Sequence, residues 1–224
     1  MSVIADDRLQ ALIDRLQARN TAQNGELYGY FDRRAKAGDL SWDRLDEDAE
    51  RFLADKLVAL DPIKAEFCHL VCRSLRARRV VECGTSFGVS TLYLAEAVRR
   101  NGPGGVVIGT EFEPAKAAAA RANFADAGLA EVIDLREGDL RETLKVIEGP
   151  VDFVLMDIWT EMVRPAIELI APHLRPGAVV VCDNTGERFR DNYRPFFEFV
   201  ADPANGLATL TLPFEGGLEF CVKT

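Results

Sequence analysis

Oxygen-bearing side chains stand at the ends of three short apolar segments of the sequence. Glu111 ends one segment, Asp157 ends another, and the pair Asp183-Asn184 closes a third. If these segments are parallel strands, their carboxyl ends meet at one edge of a sheet, which is where open α/β sheets bind ligands. Carboxylate and amide oxygens are the ligands that Mg²⁺ and Ca²⁺ prefer, although Asp183-Asn184 could also simply cap the turn into the next helix. The pattern favours a functional site at this edge.

A glycine-containing turn follows another apolar segment and is typical of a nucleotide-type cradle. Residues 82–90 read ECGTSFGVS. Gly84 and Gly88 permit a tight turn and a close approach of the backbone to a ligand, and the first amides of the following helix would face that ligand. Glu111 then stands where an acid accepts hydrogen bonds from ribose hydroxyls. The alternatives are a tight turn without a ligand and an ordinary exposed glutamate.

A further polar segment, Glu137-Gly138-Asp139-Leu140, follows the third predicted strand. Its carboxylate and a backbone amide could meet the edge of an adenine. Asp139 could equally be the N-cap of a helix, because a short acidic side chain satisfies free amides there. The two interpretations do not exclude each other.

The elements that must position these residues alternate from Val80 onward between apolar strands and amphipathic helices. This alternation is typical of a parallel sheet covered by helices on both faces. Pro114 and Gly128 mark the start and end of one helix, Pro176-Gly177 mark the end of another, and a last helix covers residues 192–201. The predicted strands are Val80–Cys83, Val106–Glu111, Val132–Arg136, Val151–Asp157 and Ala178–Asp183, followed by an antiparallel hairpin of Ala208–Leu212 and Leu218–Val222.

The first 78 residues are predicted to be helical, since apolar residues recur there at helical spacing. One of these helices begins at Asp61-Pro62, where Asp caps the free amides and Pro fits the first turn. Between the helices lies a polar, glycine-containing stretch with four aromatic residues, which are either core-facing anchors or the wall of a binding cleft. They are Tyr28, Tyr30, Phe31 and Trp42.

Length, composition and charge restrict the class of protein. The 224 residues, 48% apolar and 28% charged, suit one α/β domain and exclude a disordered or fibrous chain. A net charge of −9 disfavours nucleic acid and acidic membrane surfaces as partners and favours a small molecule. The five cysteines form no metal-type pair, and no signal peptide or membrane span is predicted, so we expect reduced, mostly buried thiols and a cytoplasmic location.

The quoted motifs resemble the class I S-adenosylmethionine-dependent methyltransferases, specifically the catechol and caffeoyl-CoA O-methyltransferase-like branch. The likeness covers nearly the whole chain and includes Lys64, the segment Asp157–Trp159 and the closing Gly216-Gly217-Leu218. It implies a Rossmann-like seven-stranded sheet, mostly parallel with an antiparallel C-terminal hairpin strand. It also implies an N-terminal helical segment (1–60) covering the acceptor site, an S-adenosylmethionine-binding domain (61–224), and a homodimer.

The resemblance also implies roles for individual residues. Glu82, Gly84 and Ser90 would shape the pocket for the methionine portion, Glu111 would hold the ribose, and Asp139 with the following amide would face adenine. Asp157, Asp183 and Asn184 match a divalent-metal triad, with Asp157 also catalytic, and the metal would bind the acceptor hydroxyls. The implied cofactor-binding residues are Glu82, Gly84, Thr85, Ser86, Gly88, Ser90, Glu111, Asp139, Leu140, Asp157 and Trp159.

One departure from the family pattern leaves the mechanism open. Metal-dependent relatives carry a lysine base three residues after the first metal aspartate, where this chain has Thr160. The metal alone could ionise the acceptor, Glu161 or His69 could replace the base, or the substrate could differ. The predicted function is S-adenosylmethionine-dependent O-methylation of a small catechol-like acceptor, with or without Mg²⁺ or another divalent cation.

Three alternatives remain beside that prediction. They are a metal-independent methyltransferase acting on another small-molecule nucleophile, a non-catalytic S-adenosylmethionine-binding module, and a nicotinamide-dependent oxidoreductase. The last of these normally shows GxGxxG, whereas the glycines at 84 and 88 here bracket Thr-Ser-Phe.

Overall fold

The protein is described by a computed structural model covering residues 2–39 and 45–224. Within these residues, seven strands form one sheet, and eight α-helices flank it. The strands are β1 (Arg79–Cys83), β2 (Val106–Glu111), β3 (Ile133–Glu137), β4 (Val151–Met156), β5 (Leu174–Asp183), β6 (Leu207–Leu212) and β7 (Leu218–Lys223). The helices are α1 (Asp7–Ala37), α2 (Glu47–Leu53), α3 (Pro62–Ser74), α4 (Val89–Asn101), α5 (Pro114–Asp126), α6 (Leu140–Thr143), α7 (Thr160–Ile170) and α8 (Arg194–Ala201).

The strand order in the sheet is β3-β2-β1-β4-β5-β7-β6. The first five strands pair in parallel, whereas β7 is antiparallel to both β5 and β6. Successive strands are added on one side of β1 as far as β3 and on its other side from β4 onward. The order therefore reverses between β1 and β4, and such a switch point leaves a crevice beyond the carboxyl ends of the strands. The predicted Rossmann-like sheet, mostly parallel with an antiparallel C-terminal hairpin, is confirmed.

Alternate residues of the central strands build the core on the two faces of the sheet. Val80, Val107 and Phe153 face one buried cluster, which also holds Leu9 of α1 and Leu92 of α4. Their neighbours Val81, Ile108 and Val154 face a second cluster with Ile167 of α7 and Phe196 of α8. Because successive side chains of a strand point to opposite faces, strands buried on both sides are apolar along most of their length. Only their ends are left for polar side chains.

Helix α1 is a single helix of 31 residues, which corrects the prediction of a polar stretch between two helices. Asp6 caps its first amides, and Gly38 ends it in the left-handed region (φ 76°). Tyr30 is buried and stacks on Phe52 of α2, with ring centroids 3.8 Å apart. This packing outweighs the cost of about 1 kcal/mol that an interior glycine imposes on a helix.

The four aromatic residues singled out in the sequence therefore divide between two roles. Tyr30 is a core anchor, while Tyr28 and Phe31 line the large cleft described below. Trp42 lies outside the described residues.

A second correction concerns Pro176-Gly177, which lie inside β5 rather than at the end of a helix. Helix α7 ends at Ile170, and one short turn (Ala171–His173) leads into the strand. Val151 pairs with Leu174 and Phe153 with Val179, so the β5 residues between those pairs fall out of register. Pro lacks the N–H that a ladder needs, and this irregular stretch accommodates it.

All five cysteines are buried and free within the described chain. None of the helices in residues 2–39 and 45–224 combines the length and the apolar character that a membrane span requires.

Candidate active site

A cleft of about 1600 Å³ opens at the carboxyl ends of β1, β2, β4 and β5 and continues beneath α1. Most of the predicted site residues line this cleft, and they come from both the glycine turn and the strand ends. The predicted site residues on its wall are Gly84, Ser86, Glu111, Asp139, Leu140, Asp157, Trp159, Asp183 and Asn184.

A second, small cavity of about 10 Å³ adjoins the glycine turn. Thr85 and Ser90 line it, and Ser86 and Asp157 line both cavities. Its volume is room for about one water molecule. Asp157 therefore stands where the turn meets the large cleft.

The turn between β1 and α4 has a backbone that glycine alone tolerates at its first bend. Gly84 has φ 90°, and a Cβ there would collide with the carbonyl oxygen of Asp157. Gly88 has φ 87°, and a Cβ there would collide with the ring of Phe124. Gly88 lines neither cavity, so its role is to let α4 begin against α5.

Glu111 is fixed at the end of β2 by backbone amides. Its Oε2 accepts from the amide of Ser86 at 2.6 Å, and its Oε1 accepts from the amide of Glu113 at 2.8 Å. Each carboxylate oxygen has two lone pairs, so both keep accepting capacity toward the cleft. This is an arrangement suited to a pair of vicinal hydroxyls.

Glu82 lies behind the turn and lines neither cavity. Thr85 and Thr91 both donate to its Oε2, and burial raises its pKa against the opposing effect of hydroxyl donors from Ser90, Thr91 and Thr85. Its Oε1 has no hydrogen-bond partner among the described residues.

The Oγ of Ser86 is likewise buried without a partner in the described part of the chain. A buried polar atom without a partner is costly and is usually satisfied by water or a ligand. Together with the close approach that Gly84 allows, this orphan hydroxyl fits a polar ligand seated on the turn. The residues present are therefore suited to a nucleoside cofactor with a polar tail.

Asp139 is the N-cap of α6, which confirms one of the two interpretations of this residue from the sequence. Its Oδ1 accepts from the amide of Arg141 at 2.9 Å, and the Arg141 guanidinium beside it holds the pKa of this carboxyl below its usual range. Asp139 and Leu140 both remain on the wall of the cleft, which Trp159 at the start of α7 also lines.

One member of the triad predicted to bind a metal, Asp183, forms an ion pair with Lys64. Nζ of Lys64 lies 2.5 Å from Oδ1 of Asp183 and also donates to the carbonyl oxygen of Gly217 at 3.3 Å. Burial raises the pKa of Asp183, and Lys64 opposes that rise. Burial also raises the pKa of Asp157, and the neighbouring charge of Asp183 acts in the same direction.

This arrangement does not fit a divalent cation. A divalent cation bound by Asp183 would lie close to the Lys64 ammonium, and a double and a single positive charge about 4 Å apart repel by about 8 kcal/mol at an effective dielectric constant of about 20. Apart from this triad, which combines two acids with Asn184, the described ranges contain no cluster of three or more His, Cys, Asp or Glu side chains that could hold a metal.

Sequence reasoning missed the contact of Lys64 and the aromatic residue Phe112, and it named Tyr193 only as the end of a loop expected beside the acceptor. Phe112, which follows Glu111, is 68% exposed on the cleft wall, and Tyr193 is buried there. The position of Phe112 directly after a strand-end acid is a signal that could have marked it. No local sequence pattern marks Tyr193 itself, because the tertiary fold brings this residue to the site.

The candidates for the missing base separate clearly. His69 is buried between α3 and α4, where its Nε2 lies 2.5 Å from Oε2 of Glu96, and it does not line the cleft. Glu161 lines the cleft and stays available for that role.

Comparisons with known proteins agree with this geometry. Residues 81–185 match the model of a methyltransferase domain. The chain is 36% identical over 128 residues to a catechol O-methyltransferase of Mycobacterium tuberculosis, covering 57% of each protein. It is 31% identical over 135 residues to a catechol O-methyltransferase of Niastella koreensis, covering 57% of this chain and 58% of that protein. These matches span just over half the length of the curated relatives.

Solved structures extend the likeness to most of the chain. The O-methyltransferase TomG of Streptomyces achromogenes, involved in tomaymycin synthesis and solved with S-adenosylmethionine, superposes with a TM-score of 0.67 at 25% identity. The superposition covers 81% of this chain and 91% of TomG. Residues 81–185 thus resemble a methyltransferase domain, and the chain, with its sheet order and glycine turn, shares its fold with an O-methyltransferase of solved structure.

Proposed function

We propose that this protein transfers a methyl group from S-adenosylmethionine to an oxygen of a small, hydroxylated, catechol-like acceptor. The observation that carries the proposal is the carboxylate of Glu111, fixed by the amide of Ser86 beside the glycine turn and facing the cleft. The two curated relatives named catechol O-methyltransferase support an oxygen acceptor.

The cofactor would be held by residues that already line the two cavities. Ser86, Ser90 and the Gly84 turn would take the methionine portion, and Glu111 would accept from the ribose hydroxyls. Asp139, the amide of Leu140 and Trp159 would lie toward adenine. When bound, the cofactor would supply an electrophilic sulfonium methyl, so that an oxygen–carbon bond forms as the carbon–sulfur bond breaks. The hydroxyl proton would pass to a base, a role for which Glu161 on the cleft wall is available.

The chain's own contribution is alignment and exclusion of water. Holding two reacting centres in line supplies several kcal/mol of a barrier without covalent participation by the protein. Asp157 lines both cavities, and we assign it the catalytic position between cofactor and acceptor.

The acceptor would lie beneath the N-terminal segment (1–60), as predicted for a cover over the acceptor site. Tyr28 and Phe31 of α1 and Phe214 of the β6–β7 turn contribute aromatic wall to the cleft. Such a wall suits a flat aromatic acceptor, because stacked or edge-on rings add stability beyond the apolar area that they bury.

The sequence predicts divalent-metal assistance through Asp157, Asp183 and Asn184, but the Lys64–Asp183 ion pair disfavours it, and we propose the metal-independent form of the reaction. The cytoplasmic location and the homodimer also stay predictions.

Formation of S-adenosylhomocysteine in the presence of catechol and of other phenols tests the proposed function. We expect product only when protein, cofactor and phenol are all present, and mass spectrometry should find the methyl group on oxygen. Saturable binding of S-adenosylhomocysteine without product across the phenol panel would favour the non-catalytic module. Absence of binding as well would contradict the site itself.

A further inference from the structure

Lys64 is a charged residue of the cleft to which the proposed function gives no role. Its side chain is 4% exposed, yet it lies on the cleft wall. Its Nζ donates to Oδ1 of Asp183 at 2.5 Å and to the carbonyl oxygen of Gly217 at 3.3 Å. An ammonium has three N–H donors. One donor is therefore left without a partner among the residues that the structure describes, and it is available to a ligand.

Three separate elements fix this ammonium. Lys64 lies in the first turn of α3, which the Asp61 side chain caps, and Asp183 ends β5. Gly217 belongs to the β6–β7 turn, which approaches the loop after β5 so closely that a Cβ on Gly217 would collide with the backbone of Gly186. The amide of Gly186 donates to the carbonyl oxygen of Gly216 at 2.8 Å. The cation is thus built into the scaffold.

Asn184 belongs to the same cluster. Its backbone is left-handed (φ 61°), and both its Oδ1 and the Nζ of Lys64 come within 4 Å of the position that a Cβ on Gly216 would take. The acceptor side of the cleft therefore presents an ammonium and an amide group side by side, next to Asp157.

We infer that Lys64 is the cation of the acceptor site: it donates its remaining N–H to the acceptor oxygen, and no divalent metal takes part. This inference rests on the proposed function. It also names the class of acceptor atom. A hydroxyl oxygen has two lone pairs, so one can accept from Lys64 while the other attacks the methyl group.

A neutral amine nitrogen lacks this second lone pair. A hydrogen bond from Lys64 to an amine would occupy the electrons needed for attack, and a protonated amine would be repelled by the ammonium. The buried ammonium thus selects oxygen acceptors against nitrogen acceptors of the same shape. Catechol and 1,2-diaminobenzene form a matched pair of probes for this selectivity.

The first experiment measures metal binding apart from turnover. Calorimetric titration of the wild-type protein with Mn²⁺ should show no saturable binding at millimolar concentrations. Lys64→Ala and Lys64→Gln, which free Asp183 from its cationic partner, should bind Mn²⁺ at least about tenfold more tightly. Saturable wild-type binding that Lys64→Ala does not strengthen would overturn the inference.

The second experiment measures turnover of catechol after exhaustive chelation. We expect the rate to be retained and to change by less than about twofold on adding Mg²⁺, since this difference corresponds to about 0.4 kcal/mol. A rate that vanishes on chelation and returns with Mg²⁺ would overturn the inference while leaving the proposed function intact.

The third experiment separates the charge of Lys64 from its volume. Lys64→Ala and Lys64→Gln should raise the KM for catechol by about tenfold or more, because they remove a hydrogen bond from a charged donor. Lys64→Arg should restore part of that loss. The affinity for S-adenosylhomocysteine should stay unchanged, and selectivity for catechol over 1,2-diaminobenzene should fall only in Lys64→Ala and Lys64→Gln.

Lys145→Ala is the matched control, because Lys145 forms an ion pair of the same 2.5 Å with Glu142 at the surface and does not line the cleft. Lys145→Ala should leave the KM for catechol and the selectivity over 1,2-diaminobenzene unaltered. If Lys64→Ala fails to fold, Lys64→Gln, which removes the charge but keeps a polar side chain, carries the comparison. Equal KM and selectivity in wild type and Lys64→Gln would overturn the inference.

Different results would contradict the proposed function and the role of Lys64. If no form of the protein methylates catechol or any other phenol, the proposed function fails. The Mn²⁺ titration then still decides whether Lys64 occupies the cation position. If turnover occurs but needs a metal, only the role of Lys64 fails.

Discussion

The amide of Ser86 donates to Oε2 of Glu111 at 2.6 Å and so fastens the glycine turn after β1 to the end of β2. Ser86 has φ 50°, a conformation that few residues other than glycine adopt, and this hydrogen bond helps hold it there. One carboxylate thus has two tasks. It shapes the turn that would receive the cofactor tail, and it presents its remaining lone pairs to the cleft.

Glu111→Gln should weaken binding of S-adenosylhomocysteine by about tenfold or more, because the amide nitrogen that replaces one oxygen cannot accept from Ser86 or from a ribose hydroxyl. Isothermal titration calorimetry measures the change. Glu137→Gln is the control, since Glu137 is the register partner of Glu111 on β3 but lies outside the cleft. Equal losses in both variants would show that the effect is not specific to the site.

Gly84→Ala should abolish cofactor binding and lower the stability of the fold. The added Cβ would strike the carbonyl oxygen of Asp157, and φ 90° is strained for any L side chain. We expect the opposite effect on stability from Gly25→Ala, because Gly25 lies inside α1 with nothing within 4 Å of the added methyl. It should stabilise the protein by about 1 kcal/mol through helix propensity. Thermal unfolding of the two variants in parallel would refute this account if both shifted in the same direction.

The strand ends were predictable from sequence for a physical reason. Strands buried on both faces are continuous apolar runs, so the first polar residue after each run marks the carboxyl edge of the sheet. Strand β2 ends at Glu111 as predicted, and β5 ends at Asp183. The acids of the site followed directly from this pattern.

Contacts between distant parts of the chain were not predictable in the same way. Lys64 and Asp183 are 119 residues apart, and no local pattern signals their ion pair. The length of α1 was also missed, because Gly25 and Gly29 favour a loop by propensity, whereas packing of Tyr30 on Phe52 keeps the helix intact. In both cases tertiary contacts decided what local sequence left open.

Asp152 should contribute to stability in a pH-dependent way. Burial would raise its pKa, but Arg175 and the amides of Arg79 and Arg78 outweigh burial and leave the pKa below its usual value. A lowered folded-state pKa means that the carboxylate stabilises the fold at neutral pH and that this contribution is lost as the pH falls below about 4.

Asp152→Asn should therefore lower the free energy of unfolding by about 1–3 kcal/mol at neutral pH, and the gap to wild type should close below about pH 4. Urea unfolding of both proteins across a pH series measures this difference in the free energy of unfolding. Asp134→Asn, which removes a more exposed carboxylate paired with Arg136, serves as the control. A gap that stays constant down to the lowest pH would contradict the assignment.

Tyr28→Ala should affect the acceptor without affecting the cofactor. Tyr28 lies on α1, is 71% exposed and belongs to the part of the cleft wall formed by the N-terminal segment. Loss of an aromatic face should raise the KM for catechol by about threefold to tenfold, since an aromatic contact contributes about 0.5–1.5 kcal/mol. The dissociation constant of S-adenosylhomocysteine should stay the same. Leu210→Ala removes an equally exposed apolar side chain from a strand outside the cleft and should change neither quantity. If Tyr28→Ala weakened S-adenosylhomocysteine and left catechol unaffected, α1 would cover the cofactor rather than the acceptor, and the proposed division of the cleft would be reversed.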